Sequence, residues 1–365
     1  MAELKDMKVM LFPSKYIQGD GAINLLPSLM DNYGDMPLVV ATRSMMERAK
    51  NLMGDKGKVL QFGGECSRNE IDRLKGIATE IGATAIAAIG GGKPIDACKV
   101  VADELGLPII IASTIAATDA PTSGCAVVYT DEGVYVEVLY QKRNPDVVLI
   151  DTDIIVKAPV RFLVSGMGDA LATFFEANSC ERTGSLSECF GMRTKTAMSL
   201  SRLCLDMLLQ YGRQAVEDAK KGIKSEAVEA VIEANTLLSG IGFESGGLGS
   251  AHSIHNGLTV LPGTHHLFHG EKVAFGVLGG LHLYDELGII DEIYDFCIDV
   301  GLPVTFEELN IPNVTDEELY QVAESCYKYN FMFHEPVEQL SIEKIVEALK
   351  KTDEVGRAKL KAKGK

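Results

Sequence analysis

Five of the chain's seven histidines fall within AHSIHNGLTVLPGTHHLFHG, residues 251–270, and the residues before this stretch contain none. Neutral imidazole is the commonest protein ligand for a metal ion. His252 and His255 stand three apart in a segment of helical character, which puts them on one face. His265, His266 and His269 follow a Pro-Gly turn and precede an apolar run. Two such segments can converge on one ion. Taken singly, each histidine also reads as a satisfied core or surface residue, and His265 and His266 as loop residues. A third ligand, preferably a carboxylate, is offered by SGMGDALATFFEA (165–177), where Asp169 follows Gly166 and Gly168 at what reads as a helix start. Spacing alone makes that aspartate an N-cap.

A second chemical feature is GGGKPIDACK (90–99), which continues directly from the apolar run ATAIAAIG. Consecutive glycines let backbone N–H groups approach an anion, and Pro94 suits the first turn of the helix that follows. A helix N-terminus reached through bare backbone is a phosphate site. Neither standard fingerprint is met: Pro94 stands where a Walker loop has Ser or Thr, and Ile95 where the dinucleotide motif has its last glycine. The plainer reading is a tight strand–helix turn that needs positive φ.

These residues need elements to hold them. MPLVVAT (36–42), ATAIAAIG (83–90), LPIIIAST (107–114) and DVVLIDT (146–152) are continuous apolar runs of the kind found in buried parallel strands. NEIDRLKGIATEIG (69–82) and IDACKVVADELG (95–106) supply amphipathic helices between them, a βαβ rhythm. GCAVVYTDEGVYVEVLYQ (124–141) interrupts with period-2 alternation around a turn at Asp131-Glu132-Gly133. From 160 to 350 the periodicity is helical. The expected architecture is an α/β nucleotide-binding domain with a Rossmann-like parallel sheet over 1–157, then a helical metal and substrate domain over 158–365.

Totals exclude other classes. With 46% hydrophobic and 24% charged residues the chain is a globular protein, and its 365 residues suit two domains. The net charge of −16 argues against a nucleic-acid partner, although the terminal GRAKLKAKGK is basic. LPIIIASTIAA (107–117) is too short to span a bilayer, and MAELKDMKVMLF lacks the apolar core of a signal peptide. Eight scattered cysteines with no C-x-x-C pair read as reduced thiols in a cytoplasm.

In chain order, KYIQG (15–19), FGGECSRNEIDRL (62–74), GGGK (90–93), TDAPTS (118–123), VYTDEG (128–133), GMGDALAT (166–173), GFESGGL (242–248), HSIHNGLT (252–259) and HHLFHGEKVAFG (265–276) resemble the zinc-dependent, glycerol dehydrogenase branch of the iron-containing (group III) alcohol dehydrogenase family. The resemblance runs from about residue 12 to about residue 305 and is weak in the last sixty. It implies a dehydroquinate synthase-like fold, an active site between the two domains, and a homo-oligomer, commonly an octamer. It implies Zn(2+) on Asp169, His252 and His269, with His255 lining the site. Asp119 would orient a substrate hydroxyl, and Phe243 would cover the substrate or serve as a core aromatic. Gly91, Gly92 and Lys93 would meet the dinucleotide phosphates, and Thr114, Ala117, Ser123, Cys125 and Tyr129 the nicotinamide end. Iron-dependent members carry a histidine four residues after the aspartate; here that residue is Thr173, leaving three protein ligands. The family's second strand usually ends in an acidic residue that binds the adenosine ribose; here it ends in Thr42, followed by Arg43 and Ser44. NADP is therefore expected beside NAD.

The implied reaction is reversible oxidation of glycerol, or a related vicinal diol, to dihydroxyacetone or its analogue. Alternatives are another small polyol or hydroxyketone on the same scaffold, such as 1,2-propanediol, butanediol or hydroxyacetone. Glycerol-1-phosphate dehydrogenase and dehydroquinate synthase activities are disfavoured, because 239–270 holds no Lys or Arg. A histidine-rich metal-binding protein would leave the glycine loop and TDAP unexplained.

Overall fold

The computed structural model describes residues 3–284, 288–328 and 340–365, so His334 lies outside the described residues. Its strands are β1 (Tyr16–Gly19), β2 (Pro37–Ala41), β3 (Lys58–Gln61), β4 (Ala85–Gly90), β5 (Ile109–Ser113), β6 (Cys125–Tyr129), β7 (Tyr135–Tyr140) and β8 (Val147–Asp151). Six of them form one parallel sheet in the order β1-β8-β5-β4-β2-β3. The four expected apolar runs are its four inner strands, buried along their whole length. Alternate residues serve opposite layers. Leu38, Val40, Ile86 and Ala88 pack with the helices Arg68–Glu80 and Gly92–Leu105, whereas Val39, Ala87 and Ile89 pack with Leu26, Met30 and Met53. Both faces of the sheet are thus covered, as parallel sheets require.

Two edge strands, β1 and β3, add to the four read from the sequence. Each is four residues long and incompletely buried. KYIQG and KVLQ carry Lys and Gln, so neither offers a continuous apolar run. β6 and β7 form the separate antiparallel hairpin that the alternation over 124–141 indicated.

Among the described residues after Asp151 there are helices and no further strand. The long helices Val160–Thr183 and Lys195–Lys220 organise a core that also takes in Ala116, Val148 and Ile150 from the sheet side. No helix among the described residues is long and apolar enough to cross a membrane.

Two sequence expectations need correction. Asp169 is not at a helix start: it sits in the third turn of Val160–Thr183. Its neighbouring glycines mark a close helix crossing instead of a boundary. A Cβ on Gly168 would come 2.2 Å from the Gly270 carbonyl oxygen, and one on Gly270 would come 1.8 Å from that of Ser165. The second correction concerns the glycine loop. Gly90, Gly91 and Gly92 are absent from the positive-φ residues, so no left-handed turn explains them. Gly90 is needed for closeness, since a Cβ there would meet both Pro94 and Thr42 at 2.6 Å.

The helix crossing yields a stability prediction. Gly270→Ala forces backbone apart beside two candidate ligands and should destabilise the fold by about 3 kcal/mol or more. Gly76→Ala, on an exposed helical position with open space around it, should stabilise by roughly 0.5–1 kcal/mol. Thermal melting of the two variants checks both signs.

Candidate metal and dinucleotide site

Helix Val160–Thr183 brings Asp169, helix Ser250–Leu258 brings His252, and the first residue of helix His269–Leu283 is His269. Their ligand atoms all lie within 4.8 Å of one another. The Nε2 atoms of His269 and His252 stand 3.1 and 3.4 Å from Asp169 Oδ1. Both carboxylate oxygens of Asp169 are buried, and neither has a hydrogen-bond partner.

Hydrogen bonds on the far side of each ring decide what those Nε2 atoms carry. His252 Nδ1 is 2.7 Å from Glu176 Oε2, so its proton belongs there. Glu176 also accepts the His252 backbone N–H at 2.9 Å through Oε1. His255 Nδ1 donates to Asn256 Oδ1 at 3.0 Å, which leaves His255 Nε2 as the acceptor for His269 Nδ1–H, also at 3.0 Å. In this neutral assignment both Nε2 atoms present lone pairs to a carboxylate. Three acceptors converge with no donor between them, and such a cluster fits a cation.

Electrostatics agree. Burial pushes the pKa of the Asp169 carboxyl up, but the charges and bonds of His269 and His252 outweigh it and hold the carboxyl well below its usual range. Burial pulls His252 down, yet Glu176 and Asp169 push it well above an ordinary imidazole. Without a metal, protons supply the missing positive charge. His255 is pushed well below the usual value by burial and by its basic neighbours His269, Lys272 and His252, and stays neutral. The His269 side chain is 37% exposed, so the cluster is open on that side.

A loop from the sheet side is tied down beside the metal cluster. Asn235 Nδ2 donates to the carbonyls of Ala116 at 2.9 Å and Leu163 at 3.0 Å, and Thr122 Oγ1 donates to that of Thr236 at 2.8 Å. Asn235 and Thr236 belong to a π-helical turn, Ala234–Leu238, a local irregularity that recurs at functional sites. Just beyond it, Ser239 Oγ donates to Asp119 Oδ2 at 2.8 Å and shares a 3.1 Å contact with Thr173 Oγ1. Burial and the charge of Asp169 push the Asp119 carboxyl well above its usual range. Phe243, buried, lies on the same face of helix Ser239–Gly246 as Ser239.

The glycine loop lies where the chain changes direction across the sheet: β2 leads outward to β3, while β4 leads the other way to β5. Ligands of open α/β sheets bind in the crevice at such a point, outside the carboxyl ends of the strands. Thr42 and Gly90 are the residues there, joined by a 3.0 Å bond from Thr42 N–H to the Ile89 carbonyl. A Cβ on Gly91 would press Ile115 at 2.8 Å, whereas one on Gly92 would find nothing nearer than Thr118 at 3.9 Å. Space beside Gly92, at the N-terminus of helix Gly92–Leu105, is thus free for a phosphate. Lys93 Nζ is held by Glu65 Oε2 at 2.6 Å. Thr114 N–H bonds the Gly90 carbonyl at 3.0 Å, and the Ala117 carbonyl accepts from Ser165 Oγ at 3.5 Å. Ser123 is buried, and burial pushes the half-buried Cys125 thiol up to about 12 and the Tyr129 phenol upward as well.

His265 and His266 stay outside the cluster. His265 Nε2 bonds the Thr259 carbonyl at 2.9 Å, and the His266 carbonyl faces Arg161 Nη2 at 3.5 Å. Glu176, Asn256 and Ser239 were not singled out from the sequence. Glu176 had a signal, lying seven residues, two turns, beyond Asp169 on one helix.

Fold and donor set together define a class: an oxidoreductase in which an NAD-type dinucleotide works beside a metal site. Residues 13–152 match the family model described as iron-containing alcohol dehydrogenase. The glycerol dehydrogenase of Thermotoga maritima is 46% identical over 95% of this chain and 97% of its own. The glycolaldehyde reductase of Halobacterium salinarum is 38% identical over 94% and 97%. The crystal structure of glycerol dehydrogenase from Schizosaccharomyces pombe superimposes with a TM-score of 0.91 at 36% identity, covering 99% of this chain and 95% of that one. The chain belongs to the iron-containing alcohol dehydrogenase family, and it is an alcohol dehydrogenase acting on CH–OH donors.

Replacement of Asp169, His252 or His269 by alanine should strip the metal and abolish activity, whereas His265→Ala should keep both. Glu176→Gln should weaken metal binding by about ten- to a hundredfold, because the carboxylate fixes the ring and its tautomer. Elemental analysis after dialysis reads each outcome, and full metal occupancy in His252→Ala would sink the assignment.

Proposed function

We propose that this enzyme oxidises glycerol, or a closely related vicinal diol, reversibly to the corresponding hydroxyketone, dihydroxyacetone in the case of glycerol. The observation that carries the reading is the convergence of one buried carboxylate and two lone-pair-bearing imidazoles in a chain closely related to glycerol dehydrogenases. Two nitrogens and one oxygen suit Zn(2+), held by Asp169, His252 and His269. When bound, it would act as a Lewis acid that eases loss of the carbinol proton.

The chain's own residues do the rest. Glu176 and the Asn256–His255 relay hold the two ligand rings in the tautomer that presents Nε2 to the site. Asp119, fixed by Ser239, orients a substrate hydroxyl, and its raised proton affinity lets it donate as well as accept a hydrogen bond. His255, kept neutral, lines the site and spends its one lone pair on the His269 Nδ1–H, which holds that ligand ring. Phe243, on the Ser239 face, would exclude water over the substrate. Gly91, Gly92 and Lys93 hold the dinucleotide phosphates, Lys93 exchanging Glu65 for the ligand. Thr114, Ala117, Ser123, Cys125 and Tyr129 border the nicotinamide end.

The division at residues 157 and 158, a cytoplasmic location and a homo-oligomer, an octamer by family resemblance, belong to the same proposal. All eight cysteines are free, in keeping with a reducing compartment. A second reading, reduction of a short hydroxyaldehyde or hydroxyketone, is favoured by the 38% identity to a glycolaldehyde reductase. Phosphorylated substrates fit less well. Arg161 is spent in a two-pronged pair with Glu271, and Lys272 turns to the Leu267 carbonyl.

Three protein ligands leave places for two substrate oxygens, so glycerol or 1,2-propanediol should exceed 1-propanol by about tenfold or more in kcat/KM. Following nicotinamide absorbance across a panel of alcohols and ketones tests this; a preference for simple primary alcohols would refute chelation.

Cofactor choice gives a separate expectation. Thr42 closes β2 at the crevice with no carboxylate to repel a 2′-phosphate, and Arg43 and Ser44 follow it. NADP should therefore be accepted beside NAD. Thr42→Asp should lower kcat/KM for NADP by about tenfold or more relative to NAD. A wild type inert towards NADP in steady-state kinetics would place selection elsewhere.

A further inference from the structure

Among the described residues, no strand pairs with the outer edge of β6 in the hairpin β6–β7, which meets only the single Ser67–Tyr129 bridge there. Residues 124, 126 and 128 face β7, with Gln141 N–H bonding the Gly124 carbonyl at 2.7 Å and Ala126 and Val128 opposite Leu139 and Glu137. Residues 125, 127 and 129 therefore point their backbone groups the other way. Each finds a substitute partner. The Cys125 carbonyl accepts from Lys99 Nζ at 2.9 Å, Val127 N–H donates to Asp96 Oδ2 at 3.0 Å, and Tyr129 N–H donates to the Cys66 carbonyl at 2.9 Å. Lys99 Nζ also reaches Ser123 Oγ at 3.3 Å.

Asp96 and Lys99 stand three residues apart on helix Gly92–Leu105, the helix whose N-terminus is the candidate phosphate cradle. Both are buried, Lys99 at 3% exposure. Their own pairing is loose: Nζ lies 3.7 Å from Asp96 Oδ1, and that oxygen has no hydrogen-bond partner. A buried ion pair is seldom more stabilising than well-packed apolar residues, and its best-attested use is to fix register. Here the two charges grip Ser123, Cys125 and Val127 in succession. One rigid helix thereby carries the phosphate cradle at its end and clamps the hairpin from its side.

We propose that Lys99, assisted by Asp96, is a positioning residue that sets the nicotinamide side of the dinucleotide site, Ser123, Cys125 and Tyr129, at a fixed distance from the phosphate cradle at Gly91 and Gly92. The inference rests on the dinucleotide reading given above. It requires that loss of the clamp weaken binding of a whole dinucleotide while sparing the part held by the cradle alone.

The test compares NADH with ADP-ribose, which lacks the nicotinamide, by calorimetric titration of the metal-loaded enzyme. If the wild type binds the phosphorylated forms more tightly, NADPH and 2′-phospho-ADP-ribose replace them. The paired variant Asp96→Asn/Lys99→Met removes both charges and so leaves neither one buried alone. Asp96→Asn/Lys99→Gln, which removes both charges but keeps polar groups of similar size outside the dinucleotide site, covers the case in which the first pair fails to fold. The NADH dissociation constant should rise roughly tenfold in Asp96→Asn/Lys99→Met and less in Asp96→Asn/Lys99→Gln, with ADP-ribose affinity and metal content unchanged. Lys99→Arg, which keeps the charge and a donor for the Cys125 carbonyl, should recover most of the loss. Unchanged NADH affinity in a folded variant, or equal weakening of both probes, overturns the proposal. A wild type that binds no probe instead removes the dinucleotide reading beneath it.

Discussion

A carboxylate without a donor organises this protein. Asp169 lies deep in the helical part, and its Oδ1 faces the Nε2 atoms of two imidazoles. An isolated buried charge is strongly unfavourable unless a counter-charge meets it. The surroundings are built so that only a cation can, because Glu176 and the Asn256–His255 relay take up the protons that the rings could otherwise turn inward. Affinity and acidity are therefore linked: the metal replaces protons that the empty cluster holds tightly, so its grip weakens as pH falls.

Such closeness of three helices depends on the absence of side chains. Gly168 and Gly270 let two helices touch backbone to backbone one residue from Asp169 and one from His269. Gly166 does the same for the loop, since a Cβ there would overlap the Ala116 carbonyl at 2.0 Å. Asp119 reaches the cluster from the sheet side because Asn235, Thr122 and Glu244 bind that loop, Glu244 accepting the Gly124 N–H at 2.7 Å and the Asn144 amide at 2.5 Å. The shared hydrophobic core of Ala116, Val148 and Ile150 with the helices gives these bonds a fixed base.

Sequence periodicity was sufficient for the inner strands because burial on both faces writes itself as unbroken Ile, Val and Ala. It was insufficient for β1 and β3, whose half-exposed edges look like loops. Glycine beside Asp169 reads as a helix boundary, and in the 90–92 loop either as bare backbone for an anion or as a positive-φ turn, while the fold uses Gly168 and Gly90 for proximity between segments. Proximity between distant segments has no local trace. The three candidate ligands were named through family motifs, since spacing alone favoured a cap for Asp169. Asn256 acts on the neighbouring His255 and Ser239 on Asp119 across the fold, and neither could be told from an ordinary polar residue.

The π-helical turn at Ala234–Leu238 governs which way the residues after it face. It accommodates one residue more than an α-helical turn would, and in doing so keeps the helix after it in phase with the helix before it. Were the same residues forced into α geometry, Ser239 and Phe243 would swing by about 100° around the helix axis, away from Asp119. The facing of Ser239 and Phe243 thus depends on the irregular backbone of this turn and not only on the residues it carries.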